Sequence, residues 1–497
     1  MSGPRLRYAP SPTGDPHVGN IRTALWTWLH ARRHGGVFVL RLEDTDQGRE
    51  IPGSLERVQA SLRWLGLEWD EGPDKGGPYA PYVQSQRLPR YHDAVDRLLA
   101  SGDAYRCFCS TADLDAMRDR QRAAGAAPGY DGRCATLLPD EAAARAVAGE
   151  PHVVRFRMPR DGVTTFTDLL RGEITYENHL LDDFIILKTD GFPTYHLAHV
   201  VDDHAMAITH VTRGEEWIPS TPRHVRLFEA LGYPLPIFVH TPVILGPDGG
   251  KLSKRHGARS VLDFAAEGYL PEALFNFLAI MGWSPDGSSE LLSRDAIVAA
   301  FDLHDLAAHP SVFDTQKLEW MNGVYMRALP EPELAALLLD RLDRDLPPEA
   351  PRPLDAALVA GLVPLVRERI KLLADIAPLV DFCFVPQPPP PTQAALLGKA
   401  YRARPAAAAE ALVAAADALR PLAAAGWSAP AIEATVRALA SEGAEKPGDL
   451  FMLCRLAVTG KPVTPPLFET MALLGAERCL ASLAAAEQIA RAATVAP

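Results

Sequence analysis

The stretch Ala9–Leu25 reads APSPTGDPHVGNIRTAL, and its setting decides the fold class. A short apolar segment, LRYA (6–9), leads into it, and VGNIRTALWTWLHARRHG (18–35) leaves it as a helical pattern stopped by glycine. A strand, a tight loop and a helix in this order form the first turn of a doubly wound sheet, where ligands sit beyond the carboxyl ends of the strands. Pro10, Pro12 and Pro16 stiffen the loop and leave carbonyls without local N–H partners, while Gly14 lets the chain turn sharply. His17 then falls beside a helix N-terminus, whose free N–H groups and dipole favour an anion. Gly19 permits close approach of a flat ligand such as a purine. Taken alone, the pattern serves equally well as a proline-capped helix with a surface histidine.

Outward from this stretch, GVFVLRLED (36–44) reads as a second buried strand and PGSLERVQASLRWLGL (52–67) as a helix with Pro52 near its first turn. Strand–helix–strand–helix at this spacing predicts a parallel sheet with crossover helices, an α/β Rossmann-like domain. Between about 102 and 190 the texture changes to three cysteines, an Ala/Arg helix and Val/Thr/Phe-rich segments such as HVVRFRM, as expected of an insertion. DDFIILKTDGFPTYHLAHVVDD (182–203) then reads as a return to the first sheet. Beyond 244 the chain becomes mostly helical, and beyond 330 it has almost no strand signal. VPQPPPPTQ (385–393) is too rich in proline for a helix or central strand and reads as a stiff linker.

The 497 residues exceed one hydrophobic core, so two to four domains are expected. With 47% hydrophobic and 23% charged residues, the composition is that of a soluble globular protein. No apolar run reaches the roughly 18 residues that span a bilayer, and MSGPRLRYAP has no apolar signal core, which predicts a cytoplasmic protein. The formal charge of −12 opposes indiscriminate nucleic-acid binding but allows a basic face for a polyanionic partner.

A second charged loop, GGKLSKRHGA (249–258), packs Lys251, Ser253, Lys254, Arg255 and His256 between glycines. A solvated basic loop is one reading. The other is a mobile loop that closes on a triphosphate and stabilises charge as phosphate is displaced. The two loops flank the two halves of one α/β domain, a far more specific combination than either alone.

RYAPSPTGDPHVGNIRTAL, LRLEDTD, DGFPTYHLAHVVDDH, TRGEEW and KLSKR, in this order and spacing, resemble the bacterial glutamyl-tRNA synthetase family of class I aminoacyl-tRNA synthetases. WMNGVY near 320 and LFETMALLGAERCL near the C-terminus extend the similarity over essentially the whole chain. The resemblance implies activation of L-glutamate by ATP with Mg2+ to an adenylate, followed by transfer to the terminal adenosine of tRNA-Glu. It also implies a monomer with no membrane partner. By resemblance, residues 1–102 and 191–245 are the two halves of the catalytic domain and 103–190 an inserted domain for the tRNA acceptor end. Residues 246–330 contact the stem and carry KLSKR, and 331–384 and 394–497 are helical anticodon-binding domains joined by the linker 385–393.

The same resemblance assigns residues. His17 and Lys254 are catalytic, and Gly19, Glu216, Lys251, Ser253 and Arg255 join them around ATP. Arg7, Ala9, Ser11, Glu43, Tyr195, His199 and Arg213 surround glutamate, with the arginines on its carboxylates and Glu43 on its ammonium group. A guanidinium matches a carboxylate bidentately and disfavours glutamine, whose amide leaves the cation unpaired. The family's first signature often ends in His where Asn20 stands, and His199 occupies a position where relatives often carry a small polar residue. Asp44, Arg367 and Arg369 are implied in tRNA contact, Arg369 at the third anticodon base. LVRERIKLL (365–373) reads as a helix presenting Arg367, Arg369 and Lys371. Cys107, Cys109, Tyr130 and Cys134 match a structural zinc site that some members possess and others lack; three reduced cysteines in a small insertion are the alternative.

Other function classes share parts of this pattern. A small-metabolite nucleotidyltransferase shares the histidine loop but needs no long helical region after WMNGVY. A truncated relative that activates glutamate without reading the anticodon lacks these C-terminal domains. A glutaminyl-tRNA synthetase carries β-barrel anticodon domains, for which this C-terminus has no strand pattern, and an enzyme that also charges tRNA-Gln remains open.

Overall fold

The computed structural model describes residues 3–252, 259–385, 391–442 and 446–495. They form two compact units, Met1–Ala266 with Pro271–Thr315, and Glu267–Leu270 with Gln316–Pro497.

The first unit is built on the strand–loop–helix read from Ala9–Leu25. Strand β1 (Arg5–Tyr8) leads through that loop into helix α1 (Val18–Arg33), and α1 returns to strand β2 (Val37–Leu40). β1 and β2 pair in parallel, Arg5 opposite Val37 through Tyr8 opposite Leu40, as a crossover helix requires. Helix α1 is buried on most sides, with Ile21, Ala24, Leu25, Trp26 and Leu29 fully covered, and closes with His30, Arg32 and Arg33 at the negative end of its dipole. Helices α2 (Ser54–Trp64) and α3 (Leu88–Ser101) follow.

The insertion contains strand β3 (Ala104–Cys107), helices α4 (Thr111–Ala123) and α5 (Pro139–Val147), strand β4 (Val153–Phe156), the hairpin β5 (Val163–Asp168) and β6 (Gly172–Glu177), and strand β7 (Ile185–Leu187). β3, β4 and β7 make a separate three-stranded antiparallel sheet. The run DDFIILK therefore does not rejoin the first sheet; a short apolar run reports burial, not which sheet buries it. The hairpin joins the main sheet instead. Alternate residues of β5 are buried, and Phe166 packs edge-on against Phe238 at 5.8 Å.

Helix α6 (Tyr195–Ala205), strand β8 (His210–Gly214), helix α7 (Thr221–Ala230) and strand β9 (Ile237–Thr241) complete the core. The main sheet has the order β2-β1-β8-β9-β5-β6, parallel except for the final hairpin pair. The chain runs outward from β1 to β2 on one side and from β8 to β9 on the other. The strand order thus reverses between β1 and β8, which opens a crevice at their carboxyl ends.

The second unit contains no strand among the described residues and is a set of helices, including Glu331–Asp345, Ala356–Val366, Pro405–Leu419, Ala429–Glu442, Pro447–Thr459 and Ala476–Val495. Leu412, Leu419, Ile432, Leu453 and Met471 form the core of its C-terminal part, with Cys454 and Cys479 buried among them. Arg367, Arg369 and Lys371 do not ride on a helix, because the helix ends at Val366 and the chain turns. Ile370 is buried by that turn, and the Asp375 carboxylate takes the N–H groups of Lys371 and Leu372. Within the described residues no helix is long and apolar enough to cross a membrane.

Candidate active site

A cavity of 580 Å³ opens at the carboxyl ends of β1, β8 and β9. Arg7, Ala9, Ser11, His17, Gly19, Glu43, Tyr195, Arg213, Glu216 and Lys251 all line it, so residues spread over most of the first unit converge there. Asn20, Thr23 and Trp217 also line it. Asp44 and His199 do not: Asp44 accepts the Ser85 N–H at 2.8 Å, and His199 lies behind the Tyr195 ring, stacked at 5.1 Å.

His17 caps α1. Its Nδ1 accepts the Gly19 N–H at 3.1 Å, which turns the rest of the ring away from the helix. A Cβ on Gly19 would stand 3.0 Å from His17 Cε1, so glycine there keeps the histidine in place. Partial burial, with Lys251 nearby, lowers the His17 pKa and keeps the ring neutral near pH 7. The Val18 N–H bonds the Arg259 carbonyl at 3.3 Å. Lys251 Nζ stands 3.6 Å from Glu216 Oε1, and Leu252 lines the cavity. Lys251 and Leu252 thus bring the start of KLSKR to the cavity, while Ser253, Lys254 and Arg255 lie outside the described residues.

Two arginines are held in opposite ways. Arg7 Nε binds Asp203 Oδ1 at 3.0 Å, and Arg41, fully buried, reaches Asp203 at 2.7 Å and Glu43 at 3.0 Å. Arg87 closes the set on Asp202 at 2.6 Å. Three guanidiniums and the carboxylates of Glu43, Asp202 and Asp203 are thus nearly balanced. Burial raises the Glu43 pKa, opposed by Arg41 and Arg7, so its carboxylate gains from any cation entering the cavity.

Arg213 is different: among the described residues it has no carboxylate partner. Its Nε donates to His240 Nε2 at 3.1 Å, its Nη1 to the Tyr195 hydroxyl at 3.1 Å, and its Nη2 to Thr221 Oγ1 at 2.9 Å and His224 Nδ1 at 3.2 Å. Every acceptor is neutral. His240 holds its proton on Nδ1 and gives it to Asp168 Oδ2 at 2.7 Å, and His224 passes its own to His196 at 2.9 Å. Burial beside Arg213 keeps His224 well below the ordinary imidazole range. A nearly buried cation with only neutral ligands is a receptor for an anion.

Residues 5–320 match the family model for the class I tRNA synthetase catalytic domain (E and Q), and residues 333–487 match an anticodon binding domain. The glutamate–tRNA ligase of Dehalococcoides mccartyi is 47% identical over 482 residues, 97% of each chain. That of Acidothermus cellulolyticus is 48% identical over 495 residues, covering 98% of this chain and 96% of the relative. A crystal structure of a glutamate tRNA ligase from Elizabethkingia meningosepticum in complex with its amino acid matches with a TM-score of 0.87 at 33% identity, over 98% of this chain and 99% of that one.

The chain belongs to the glutamate–tRNA ligase family.

The ligase is a class I aminoacyl-tRNA synthetase, with the α/β catalytic core and helical C-terminal half that the sequence predicts. Its insertion carries a cysteine cluster whose Cys107, Cys109 and Cys134 sulfurs lie within 4.8 Å of one another. The Tyr130 hydroxyl is 3.3 Å from Cys107 Sγ and 3.8 Å from Cys109 Sγ. Cys109 and Cys134 are 3.6 Å apart. Three sulfurs and a phenol oxygen converging on one point fit a tetrahedral zinc. In the second unit of the ligase, Arg369 is exposed and Arg367 is half-buried, its Nη2 on the Leu329 carbonyl at 2.7 Å. Four residues that shape the site escaped the sequence reading: Arg41, Asp168, His224 and His240. Arg41 lies inside the quoted LRLEDTD motif, but its side chain acts only through partners far along the chain.

Proposed function

We propose that the cavity binds L-glutamate and ATP together and forms glutamyl-adenylate, the Arg213 guanidinium taking the side-chain carboxylate of glutamate. The neutral cage around Arg213 carries this reading, because a carboxylate supplies the charge the site lacks, whereas the amide of glutamine does not. Arg7 and Ser11, at the mouth of the β1 loop, meet the α-carboxylate, and Glu43 meets the ammonium group. Tyr195 shares the bound side chain with Arg213, and His199 acts by holding the Tyr195 ring.

The glutamate carboxylate then attacks the α-phosphorus of ATP in line, one C–O–P bond forming as the bond to pyrophosphate breaks. Negative charge grows on the phosphate oxygens, so placed donors supply most of the acceleration. His17 and the N–H groups opening α1 serve that charge from one side. Lys254 of the KLSKR loop stabilises the transition state, Lys251 and Arg255 shape that loop, Ser253 joins them at ATP, and Glu216 holds Lys251. Mg2+ accompanies ATP and neutralises part of the polyphosphate charge. Gly19 leaves room for the purine.

The activated glutamate passes to the terminal ribose of tRNA-Glu. Asp44, Arg367 and Arg369 contact the tRNA, Arg369 at the third anticodon base. Cys107, Cys109, Cys134 and Tyr130 would hold one zinc ion, which when bound cross-links the insertion. The enzyme works as a cytoplasmic monomer. Glutamate-dependent ATP–pyrophosphate exchange, measured with and without each purified tRNA, tests the reading: exchange is expected with tRNA-Glu present, and its absence there overturns it.

A further inference from the structure

On the side of the sheet away from the ligand cavity, four imidazoles and a carboxylate meet without a role in the reaction. His30 and His34 occupy the last turn of α1 and its end, four residues apart, the spacing that puts two side chains on one helix face. Asp302 arrives from 268 residues further along the chain. Its Oδ2 is 3.0 Å from His34 Nε2 and its Oδ1 is 3.5 Å from His30 Nδ1. The donor atoms of the three residues all lie within 4.8 Å of one another. His210, the first residue of β8, stands 5.3 Å from His30 ring to ring; its Nδ1 is tied to Thr209 Oγ1 at 2.7 Å, which leaves Nε2 as its ligating nitrogen. His304, whose N–H bonds Asp302 Oδ1 at 3.1 Å, is close enough to bear on both His30 and His210.

We propose that this cluster is a zinc site, with His30, His34 and Asp302 as ligands and His210 or water in the fourth position. Two imidazole nitrogens and a carboxylate oxygen are a zinc-class donor set, whereas Ca2+ and Mg2+ require several oxygens. Zinc–nitrogen bonds of about 2.0–2.1 Å put tetrahedral donors roughly 3.4 Å apart. Against that value, Asp302 stands 3.0 Å from His34 Nε2 and 3.5 Å from His30 Nδ1. The donors already meet one another through the His34 Nε2–Asp302 Oδ2 contact at 3.0 Å, which zinc would replace, while the Leu303 N–H meets His30 Nδ1 only at 3.5 Å. The neighbouring cation, Arg33, donates from Nη1 to the Ala300 carbonyl at 2.7 Å, closer than the 3.6 Å that separates it from Asp302.

Bound zinc would tie the end of α1 to the Asp302 turn and, through His210, to the start of β8. The opposite end of α1 carries His17 and Gly19, and the opposite end of β8 carries Arg213. Zinc here acts as a structural clasp on the frame that positions the cavity, and this holds whether or not the cavity works as proposed above.

Metal-stripped full-length protein titrated with Co2+ and then Zn2+ tests the assignment. Cobalt bound to thiolates gives intense near-ultraviolet charge-transfer absorption, whereas cobalt on imidazole and carboxylate gives only the weaker visible bands, so the cysteine cluster is distinguished directly. The wild type is expected to bind one more equivalent of Zn2+ than His34→Gln, and Asp302→Asn is expected to weaken that equivalent at least tenfold. Cys109→Ser/Cys134→Ser is expected to keep it without the thiolate band. His34 is 37% exposed and Asp302 16%, so neither single variant threatens the fold. Zn2+ should also raise the melting temperature of the wild type by more than that of His34→Gln. Equal stoichiometry and affinity in the wild type, His34→Gln and Asp302→Asn overturns the proposal, as does cobalt binding confined to the thiolate band.

Discussion

Arg213 Nε donates to His240 Nε2 at 3.1 Å, and the same imidazole is held from behind by Asp168 at 2.7 Å. The carboxylate stays one ring away from the guanidinium: it orients Arg213 through His240 without neutralising it. The proposed reading has the glutamate side chain supply the charge that Arg213 lacks. Arg213→Gln is expected to raise the KM for glutamate by about 150- to 5,000-fold, in line with the ~3–5 kcal/mol for breaking a buried pair. Arg213→Lys should recover only part of this, since an ammonium cannot reproduce the guanidinium fork. Steady-state exchange kinetics at varied glutamate would check both; an unchanged KM in Arg213→Gln removes Arg213 from substrate recognition.

Asp168→Asn keeps the volume but lets the amide donate to His240 Nδ1, which reverses the imidazole tautomer and aims an N–H at Arg213. A misdirected buried donor costs about 1–3 kcal/mol. The expected result is a glutamate KM raised ~5- to 100-fold with the KM for ATP unchanged. Equal changes in both would mean that the turn after β5 had been disturbed, because Asp168 also receives the N–H groups of Leu170 and Arg171.

On the proposed reading His17, which lines the cavity at the start of α1, serves the phosphate charge and not glutamate, and His17→Ala tests this. A loss of about 100- to 1,000-fold in kcat is expected, with little change in the glutamate KM. A KM effect without a kcat effect would place His17 in ground-state binding.

Burial holds His196 at about 4 and His199 at about 3, against an ordinary 6.5. The unfolded chain takes up protons below pH 6.5 while the folded chain refuses them until about pH 4. Stability is therefore complete above pH 6.5 and falls with acid, by at most ~1.4 kcal/mol per pH unit for each histidine. Asp203, held well below its ordinary value by Arg7 and Arg41 against its own burial, adds a loss of the same sign below about pH 4. Denaturant melts between pH 7 and 4.5 should show this slope, and a shallower one in His199→Asn; equal slopes would mean that His199 titrates normally.

Arg369 is exposed at the turn after the helix ending at Val366. Charging of tRNA-Glu and tRNA-Gln should shift toward tRNA-Gln in Arg369→Gln if that side chain reads the anticodon. An unchanged preference in paired charging assays sinks the assignment.

The strand–loop–helix at Ala9–Leu25 was legible because three local rules agree there: apolar periodicity, proline chemistry and a helix N-terminus. His17, Gly19 and the β1 residues come from that one segment, so their convergence needs only local geometry. The turn at Arg367–Lys371 was misread because LVRERIKLL has helical periodicity; what ends the helix is Ile370 finding a buried site and Asp375 taking the freed N–H groups. Neither event has a signature in the local pattern.

By itself the sequence determined the α/β catalytic unit, the helical half that follows and the loops that flank the cavity, since patterning and turn chemistry act over a few residues. Only the tertiary structure decided what surrounds Arg213. Asp168, Thr221, His224 and His240 come from β5, α7 and β9 and meet because the sheet places β5 and β9 beyond β8. The same holds for His30, His34 and Asp302, joined across most of the first unit. A single motif names a charged residue; whether that charge is balanced, caged or left for a ligand depends on neighbours supplied by the fold.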